Sequence, residues 1–134
     1  MANAIYEKWK EQLLQFTTNN SLSAGTVKVA LVDTGTYTFS QTHQFYTSVS
    51  SAAVGTPQTL GTKTYTGGTF DAADSTFTAV SGSTVEALVI YIDTGSSATS
   101  PLVAYIDTGV TGLPVTPNGG DIAITWNASG IFKL

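Results

Sequence analysis

The chain has 134 residues, of which 42% are hydrophobic and only 10% are charged, and its net charge is −4. This composition excludes a disordered chain and suits one folded domain that spans residues 1–134. All five basic residues are scattered Lys, so nucleic-acid binding is not expected, because it needs a basic stripe and favours Arg. No Cys is present for disulfides or thiolate metal sites, and no apolar run reaches the roughly 18 residues of a membrane span.

Residues 2–16 are predicted to form an N-terminal amphipathic helix or arm. Ile5, Trp9 and Leu13 recur every four residues, with Tyr6 beside them and charged residues mostly between them. The charged residues also argue against a signal peptide. Such an apolar stripe either covers the sheet as part of the core or docks on a partner, and the sequence leaves both alternatives open.

From residue 26 onward the pattern is typical of β-strands. Residues 27–31 and 122–126 alternate between large apolar side chains and smaller or polar ones, which predicts half-buried strands. Residues 87–92 and 102–106 are continuous apolar runs, as expected of central strands that are covered on both faces. The short Ser- and Gly-rich loop between these two runs predicts an antiparallel hairpin.

Weaker strands and one short helical turn complete the predicted elements. The strands are expected at residues 36–39, 58–65, 76–80 and 131–134, and the turn, capped by Ser40, at residues 41–49. Seven or eight short strands at intervals of roughly ten residues are typical of a β-sandwich or β-barrel. We therefore predict an all-β fold with a short N-terminal helix.

The tripeptide Asp-Thr-Gly occurs three times, starting at Asp33, Asp93 and Asp107, each time after an apolar strand. Aspartic proteases bring two such loops together so that two carboxylates share a proton. Here Asp93 and Asp107 follow successive strands of a predicted hairpin, which places them at opposite ends. We therefore favour local turns, in which each Asp accepts backbone hydrogen bonds and each Gly supplies a positive φ. A protease-like hydrolase remains a remote alternative.

Other candidate sites are weaker. His43 is the only histidine, which excludes multi-His metal sites, and we predict a partly buried, hydrogen-bonded side chain. Asp71, Asp74 and Asp121 carry oxygen ligands suited to Ca²⁺, but they lack the spacing of an EF-hand, and solvated loop positions are favoured. We expect no enzymatic activity, no catalytic residue, no cofactor and no metal.

Four segments of the sequence resemble small virion proteins of tailed bacteriophages that decorate or cement the capsid. The segments are residues 1–6, 25–33, 85–91 and 124–131. The resemblance contains no mechanistic motif. It implies a jelly-roll-like antiparallel β-sandwich that is oligomeric and lies over junctions between major capsid proteins. The implied location is the outer surface of the capsid in the virion, after synthesis in the host cytoplasm.

The expected function is therefore structural. The protein is expected to bind the outside of a phage capsid and to stabilise it by bridging neighbouring major capsid proteins. The candidates for protein contacts are Tyr6, Trp9, Leu13 and Phe132. The expected partners are the major capsid protein and further copies of the chain, with neither nucleic acid nor membrane. The composition also suits the alternative, a tail or fibre module with a structural or receptor-binding role.

Overall fold

The computed structural model describes residues 3–15 and 21–134 and is mostly β. The strands are β1 (Ala4–Ile5), β2 (Thr26–Val32), β3 (Ala53–Thr59), β4 (Thr69–Phe70), β5 (Ser75–Phe77), β6 (Ala87–Asp93), β7 (Leu102–Ile106), β8 (Ile122–Ile124) and β9 (Phe132–Lys133). The helices are α1 (Glu7–Gln15) and α2 (Thr47–Ser50), with a 3₁₀ turn at Thr66–Gly68. The predicted all-β fold with a short N-terminal helix is confirmed.

A five-stranded antiparallel sheet, in the order β1-β7-β6-β2-β3, organises the chain. β6 and β7 form the predicted antiparallel hairpin, and β2 pairs with the other side of β6 over its whole length. Two small antiparallel sheets, β4 with β9 and β5 with β8, accompany this main sheet. The arrangement is sandwich-like, and the jelly-roll topology stays a prediction.

Both faces of the main sheet are buried, and each face has its own core. In the first core, side chains of β2 and β6 pack with Phe77 and Ile124 of the small sheets and with Trp9 of α1. The second core is rich in tyrosines and small aliphatic residues: Tyr6, Ala30, Val32, Tyr37, Tyr46, Val49, Ala52, Ala87, Val89, Tyr91, Leu102 and Tyr105. Every residue of β7 is buried, as are the first six of β6, which confirms the prediction from their continuous apolar runs.

The two alternating strands differ in their burial. In β8 the prediction is confirmed, because Ile122 and Ile124 are buried and Ala123 between them is exposed. In β2 the half-buried prediction is wrong, because Ala30 and Val32 are also fully buried in the second core. β2 is an inner strand of the main sheet, so its second face is covered by the chain that follows it.

The segment that covers this second face contains one wrong prediction. No strand forms at residues 36–39. The carbonyl oxygen of Asp33 accepts the N–H groups of Thr36 and Tyr37, which turns the chain away from β2. Tyr37 then packs in the second core. The β-favouring residues of this segment therefore fill a core instead of pairing in a sheet.

The other weak predictions are partly correct in position. The strand expected at residues 58–65 lies mostly earlier, as β3, an edge strand whose Gly and Pro weakened the sequence signal. The strands expected at residues 76–80 and 131–134 shorten to β5 and β9. The hydroxyl of Ser40 accepts the N–H of Thr42, but the helix itself, α2, begins only at Thr47.

The N-terminal arm combines a short strand with a helix. Of the predicted span 2–16, residues 2 and 16 lie outside the described residues. Ile5, which we assigned to the helical stripe, belongs to β1 at the edge of the main sheet. Asn3 holds the start of the arm, because its Oδ1 accepts the N–H groups of Asp107 and Thr108 beyond the end of β7.

Candidate functional site

The first two Asp-Thr-Gly tripeptides form turns at the ends of β2 and β6. Asp33 Oδ1 accepts the backbone N–H of Gly35 at 2.8 Å, and Asp93 Oδ1 accepts that of Gly95 at 3.0 Å. Gly95 has a φ of 92°, whereas Gly35 is not among the positive-φ residues. The predicted Asp-to-backbone bonds are therefore confirmed at both turns, and the predicted positive φ only at the second.

The third tripeptide, which starts at Asp107, is held differently. Asn3 Oδ1 accepts the N–H groups of Asp107 at 2.7 Å and Thr108 at 2.9 Å, and Asn3 Nδ2 donates to the carbonyl oxygen of Thr108 at 2.9 Å. Gly109 has the predicted positive φ, at 79°. The N–H groups of this turn are thus bound by a side chain from the N-terminal arm, which the local pattern did not indicate.

The three Asp residues of these turns do not converge. The pairing register places Asp93 opposite Thr26 at one end of the main sheet, whereas Asp33 and Asp107 follow strand ends at the other. Asp33 and Asp107 extend β2 and β7, which are separated by β6, so two strand spacings of about 4.8 Å lie between them. A carboxylate pair that shares a proton requires the two groups to be in close contact. This arrangement is therefore not that of an aspartic-protease dyad.

Asp93 also forms an ion pair with Lys28. Lys28 Nζ lies 2.9 Å from Asp93 Oδ2, and both side chains are only about a quarter exposed, at 29% and 26%. The hydrogen bond from Lys28, followed by that from the N–H of Gly95, holds the pKa of the Asp93 carboxyl below its ordinary value of 3.8. A carboxylate that is stabilised in its charged form is a poor general base at neutral pH. Asp93 thus holds the turn after β6 and ties it to β2 through Lys28.

His43 is hydrogen-bonded to a pair of tyrosines from the second core. The hydroxyl of Tyr37 lies 2.8 Å from His43 Nδ1 and 2.8 Å from the hydroxyl of Tyr6. Burial raises the pKa of both tyrosines above its ordinary value of 10.0. The prediction of a partly buried, hydrogen-bonded His43 is confirmed. The network ties the N-terminal arm to the segment that follows β2.

The acidic loop residues also bind backbone groups. Asp74 Oδ1 accepts the N–H of Trp126 at 3.0 Å, Asp121 Oδ1 accepts that of Ala79 at 3.1 Å, and Asp71 Oδ1 accepts that of the next residue. Their interpretation as merely solvated positions is therefore incomplete. Within residues 3–15 and 21–134, no group of three or more Asp, Glu or His side chains is placed to hold a metal ion.

The four predicted contact residues divide into two pairs. Tyr6 is fully buried and Trp9 is 2% exposed, so both stabilise the cores of their own chain. A contact between these two side chains and a partner would require the arm to leave the sheet. Leu13 and Phe132 are only partly buried against the first core, and their contact with a partner stays a prediction.

The helical stripe did not indicate the most exposed large apolar residue of the described chain. Leu14 lies one position beyond Leu13 and is 89% exposed. Tyr65 and Leu134 are also exposed, at 42% and 65%. None of the three belongs to a periodic apolar pattern, so only the structure identifies them as accessible surface.

An open cleft of about 410 Å³, here called the basic cleft, lies beside β1 at the edge of the main sheet. Its lining includes Lys10 of α1, Lys133 of β9, Asn3, Ile5, Gln41 and Phe132. The scattered lysines of the sequence gave no sign that two of them would line the same cleft. Phe132, a predicted contact residue, forms part of its apolar wall.

A second cleft, of about 540 Å³, is here called the hydroxyl cleft. Its lining includes Thr34, Tyr37, Phe39, Glu86, Tyr105 and Asp107. Burial and the negative charge of Asp107, with smaller effects of Tyr37 and Glu86, raise the pKa of Tyr105 to about 12. The cleft therefore combines hydroxyl groups and carboxylates with aromatic rings, and its local potential is negative.

Comparison of the chain with protein-family models and with curated proteins finds no match to either. Among the described residues, no helix has the length and apolar character needed to cross a membrane.

Proposed function

We propose that this protein is a structural, non-enzymatic component of a bacteriophage virion. It binds the outer surface of the capsid as an oligomer and stabilises the shell by bridging neighbouring major capsid proteins. The proposal is based on the resemblance between this sequence and capsid decoration proteins.

The observation that carries the proposal is the position of the resembling segments in the fold. Residues 25–33 contain β2 and its turn, residues 85–91 contain most of β6, and residues 124–131 run from the end of β8 towards β9. The described part of residues 1–6 contains β1. The resemblance thus involves paired strands of the main sheet rather than one surface loop, which supports a shared fold and role.

The contacts of the candidate catalytic residues agree with a binding role rather than an enzymatic one. Asp33 and Asp93 accept turn N–H groups, and the charge of Asp93 is paired with Lys28. His43 is bonded within the second core through Tyr37. Two of the three Asp-Thr-Gly carboxylates and the histidine are therefore engaged in holding the fold.

Bridging gives a physical route from binding to shell stability. A cement protein contacts two or more capsid subunits together, so much of its interface exists only after assembly, and the second contact gains from a high effective concentration. A contact with one subunit can fall below the roughly 1,000 Å² of a stable interface, while the joined site exceeds it. At a free concentration of 100 times Kd, each occupied site favours the bound shell by about 2.7 kcal/mol.

The test is a co-sedimentation assay with undecorated, mature-like shells and with isolated capsid subunits. We expect saturable binding to shells and much weaker binding to subunits, because only shells present the joined site. Equal affinity for both would contradict bridging. Imaging of labelled protein on virions adds the location, and label on tails instead of heads would reject the capsid assignment.

A tail or fibre module with a receptor-binding role is the second candidate, and the hydroxyl cleft favours it. Hydroxyl and carboxylate side chains such as Tyr37, Glu86 and Asp107 line this cleft together with the ring of Phe39. Polar groups placed around an apolar surface suit a small polar ligand such as a saccharide. Binding to host surface polysaccharide, together with no binding to shells, would support this candidate.

A further inference from the structure

The lysines of the basic cleft differ from the other lysines of the chain. Lys8 pairs with Glu11 at 3.0 Å and Lys28 with Asp93 at 2.9 Å. Lys63 Nζ donates to the backbone carbonyl oxygens of Leu22 and Gly25, at 2.7 and 3.1 Å.

Lys10 and Lys133 are the two remaining lysines, and both line the basic cleft. Across residues 3–15 and 21–134, neither forms an ion pair or a side-chain hydrogen bond. In a chain with a net charge of −4, two such ammonium groups at one cleft make a local site for negative charge.

Gln41 supplies a second, independent feature of the cleft. Its Oε1 atom is buried and has no hydrogen-bond partner among the described residues, although Gln41 lines the cleft. Buried side-chain oxygens are nearly always bonded, because an unpaired one has lost its water. A ligand in the cleft with a hydrogen-bond donor would restore this bond when the Gln41 side chain turns its oxygen towards the cleft.

The walls of the cleft are suited to a side chain rather than to a free inorganic ion. Ile5 and Phe132 add apolar side chains to the lining of the cleft. Aliphatic carbons next to a carboxylate can pack on such surface while the charge reaches the ammonium groups. The volume of about 410 Å³ accommodates a few atoms of side chain and backbone from another molecule.

We propose that the basic cleft binds an acidic peptide segment of a partner protein. A Glu or Asp carboxylate of that segment binds the ammonium groups of Lys10 and Lys133, and a backbone N–H next to it donates to Gln41 Oε1 after that side chain turns into the cleft. The inference rests on the proposed function for the partner's identity, the major capsid protein. The chemistry of the cleft itself is independent of that identity.

Three charge-reversal variants test the proposal on shells. Lys10→Glu and Lys133→Glu each put a negative charge in the cleft, whereas Lys8→Glu makes the same change on the same helix as Lys10 but outside the cleft. We expect the first two variants to weaken shell binding at least about tenfold, because a repelled carboxylate loses its partner. The control should bind like the wild type, and circular dichroism verifies that all three fold.

Gln41→Leu tests the second feature without a change of net charge. We expect it to weaken shell binding, since the donor of the partner then faces an apolar side chain. If the wild type binds shells and the Lys10, Lys133 and Gln41 variants bind as tightly as the Lys8 control, the basic cleft is not the contact, and the inference is overturned.

A peptide titration tests the basic cleft independently of the proposed function. A short, end-capped Glu-rich peptide is titrated into the labelled wild-type protein, with the Gln-rich peptide of equal length as control. Chemical-shift changes at Lys10, Gln41 and Lys133 with the Glu peptide but not with the Gln peptide support the cleft. If shells are not bound in that case, only the capsid proposal is rejected. No shift at these residues, or equal shifts with both peptides, overturns the cleft.

Discussion

Replacement of Asp93 by Asn isolates the ion pair at the end of β6. Asn keeps an oxygen that can accept the N–H of Gly95, but it loses the charge that binds Lys28 at 2.9 Å. Exposed pairs contribute about 0.2–1 kcal/mol, and hydrogen bonds to charged groups about 1.5–3 kcal/mol. Because both side chains are about a quarter exposed, we expect the free energy of unfolding to fall by about 1 kcal/mol near neutral pH.

The pH dependence of this loss has a defined sign. The pKa of Asp93 is lower in the folded protein than its ordinary value of 3.8, so the carboxylate stabilises the fold above pH 3.8. That contribution disappears as the pH falls through the folded pKa, where wild-type Asp93 becomes neutral like Asn. The difference between wild type and Asp93→Asn should therefore be present at neutral pH and shrink towards zero well below pH 3.8.

Urea unfolding of both proteins at each pH measures this difference. A loss of about 1 kcal/mol lowers the urea midpoint by roughly 0.3–1 M for the usual range of m values. Asp33→Asn is the comparison variant, since Asp33 makes the same turn bond, accepts the Thr36 hydroxyl through its other oxygen and is not paired with a lysine in the described chain. No loss at Asp93 near neutral pH, or a loss at Asp93 that does not change with pH, would refute the assigned role of the ion pair.

Two further predictions concern the N-terminal arm and the tyrosines. Trp9→Ala should lower the free energy of unfolding by about 3–5 kcal/mol, because Trp9 is buried in the first core. Leu14→Ala, at an 89% exposed site on the same helix, should change it by less than about 0.5 kcal/mol. Equal effects of the two variants in chemical unfolding would contradict the placement of α1. Tyr105 should ionise near pH 12 in the folded protein, as followed by tyrosinate absorbance, and Tyr105→Phe should remove that step. The folded pKa of Tyr105 lies above the ordinary 10.0, so the contribution of neutral Tyr105 to the free energy of unfolding should be complete below pH 10.0 and lost as the pH rises through 12. Titration of Tyr105 at its ordinary pKa would contradict its burial.

The sequence predicted those elements whose signal is contained in their own residues. The continuous apolar runs of β6 and β7 required two covered faces, and the structure provides them. The alternation in β8 likewise matched one buried and one exposed face. The turn chemistry of Asp33 and Asp93 was equally local, because an Asp side chain and an N–H two residues later suffice to form it.

Features that depend on distant segments were not predictable in this way. Residues 36–39 have strand-forming side chains, yet the turn at Asp33 directs them onto the second face of the sheet. The same covering segment buries Ala30, which the alternation in β2 had assigned to an exposed face. Asn3 bonds to Thr108 more than a hundred residues away, a contact that no local pattern indicates.

In the candidate site, too, some residues could be predicted from the sequence and others depended on the packing of distant segments. Phe132 was predicted as a contact residue, and it lines the basic cleft, but the two lysines and Gln41 came together only through the packing of α1, β9 and the segment after β2. Lysines scattered in a sequence carry no information about which of them share a cleft. The prediction of Tyr6 as a contact residue followed from an apolar stripe, and such stripes more often form core.

Heat-induced rupture of capsid shells tests the central claim most directly. Undecorated shells are heated with increasing amounts of the protein, and release of their contents is followed. Bridging predicts that the rupture temperature rises with occupancy and reaches a plateau when the sites are full, because each bound copy favours the intact shell. An unchanged rupture temperature at saturating protein would contradict the proposed role in capsid stabilisation.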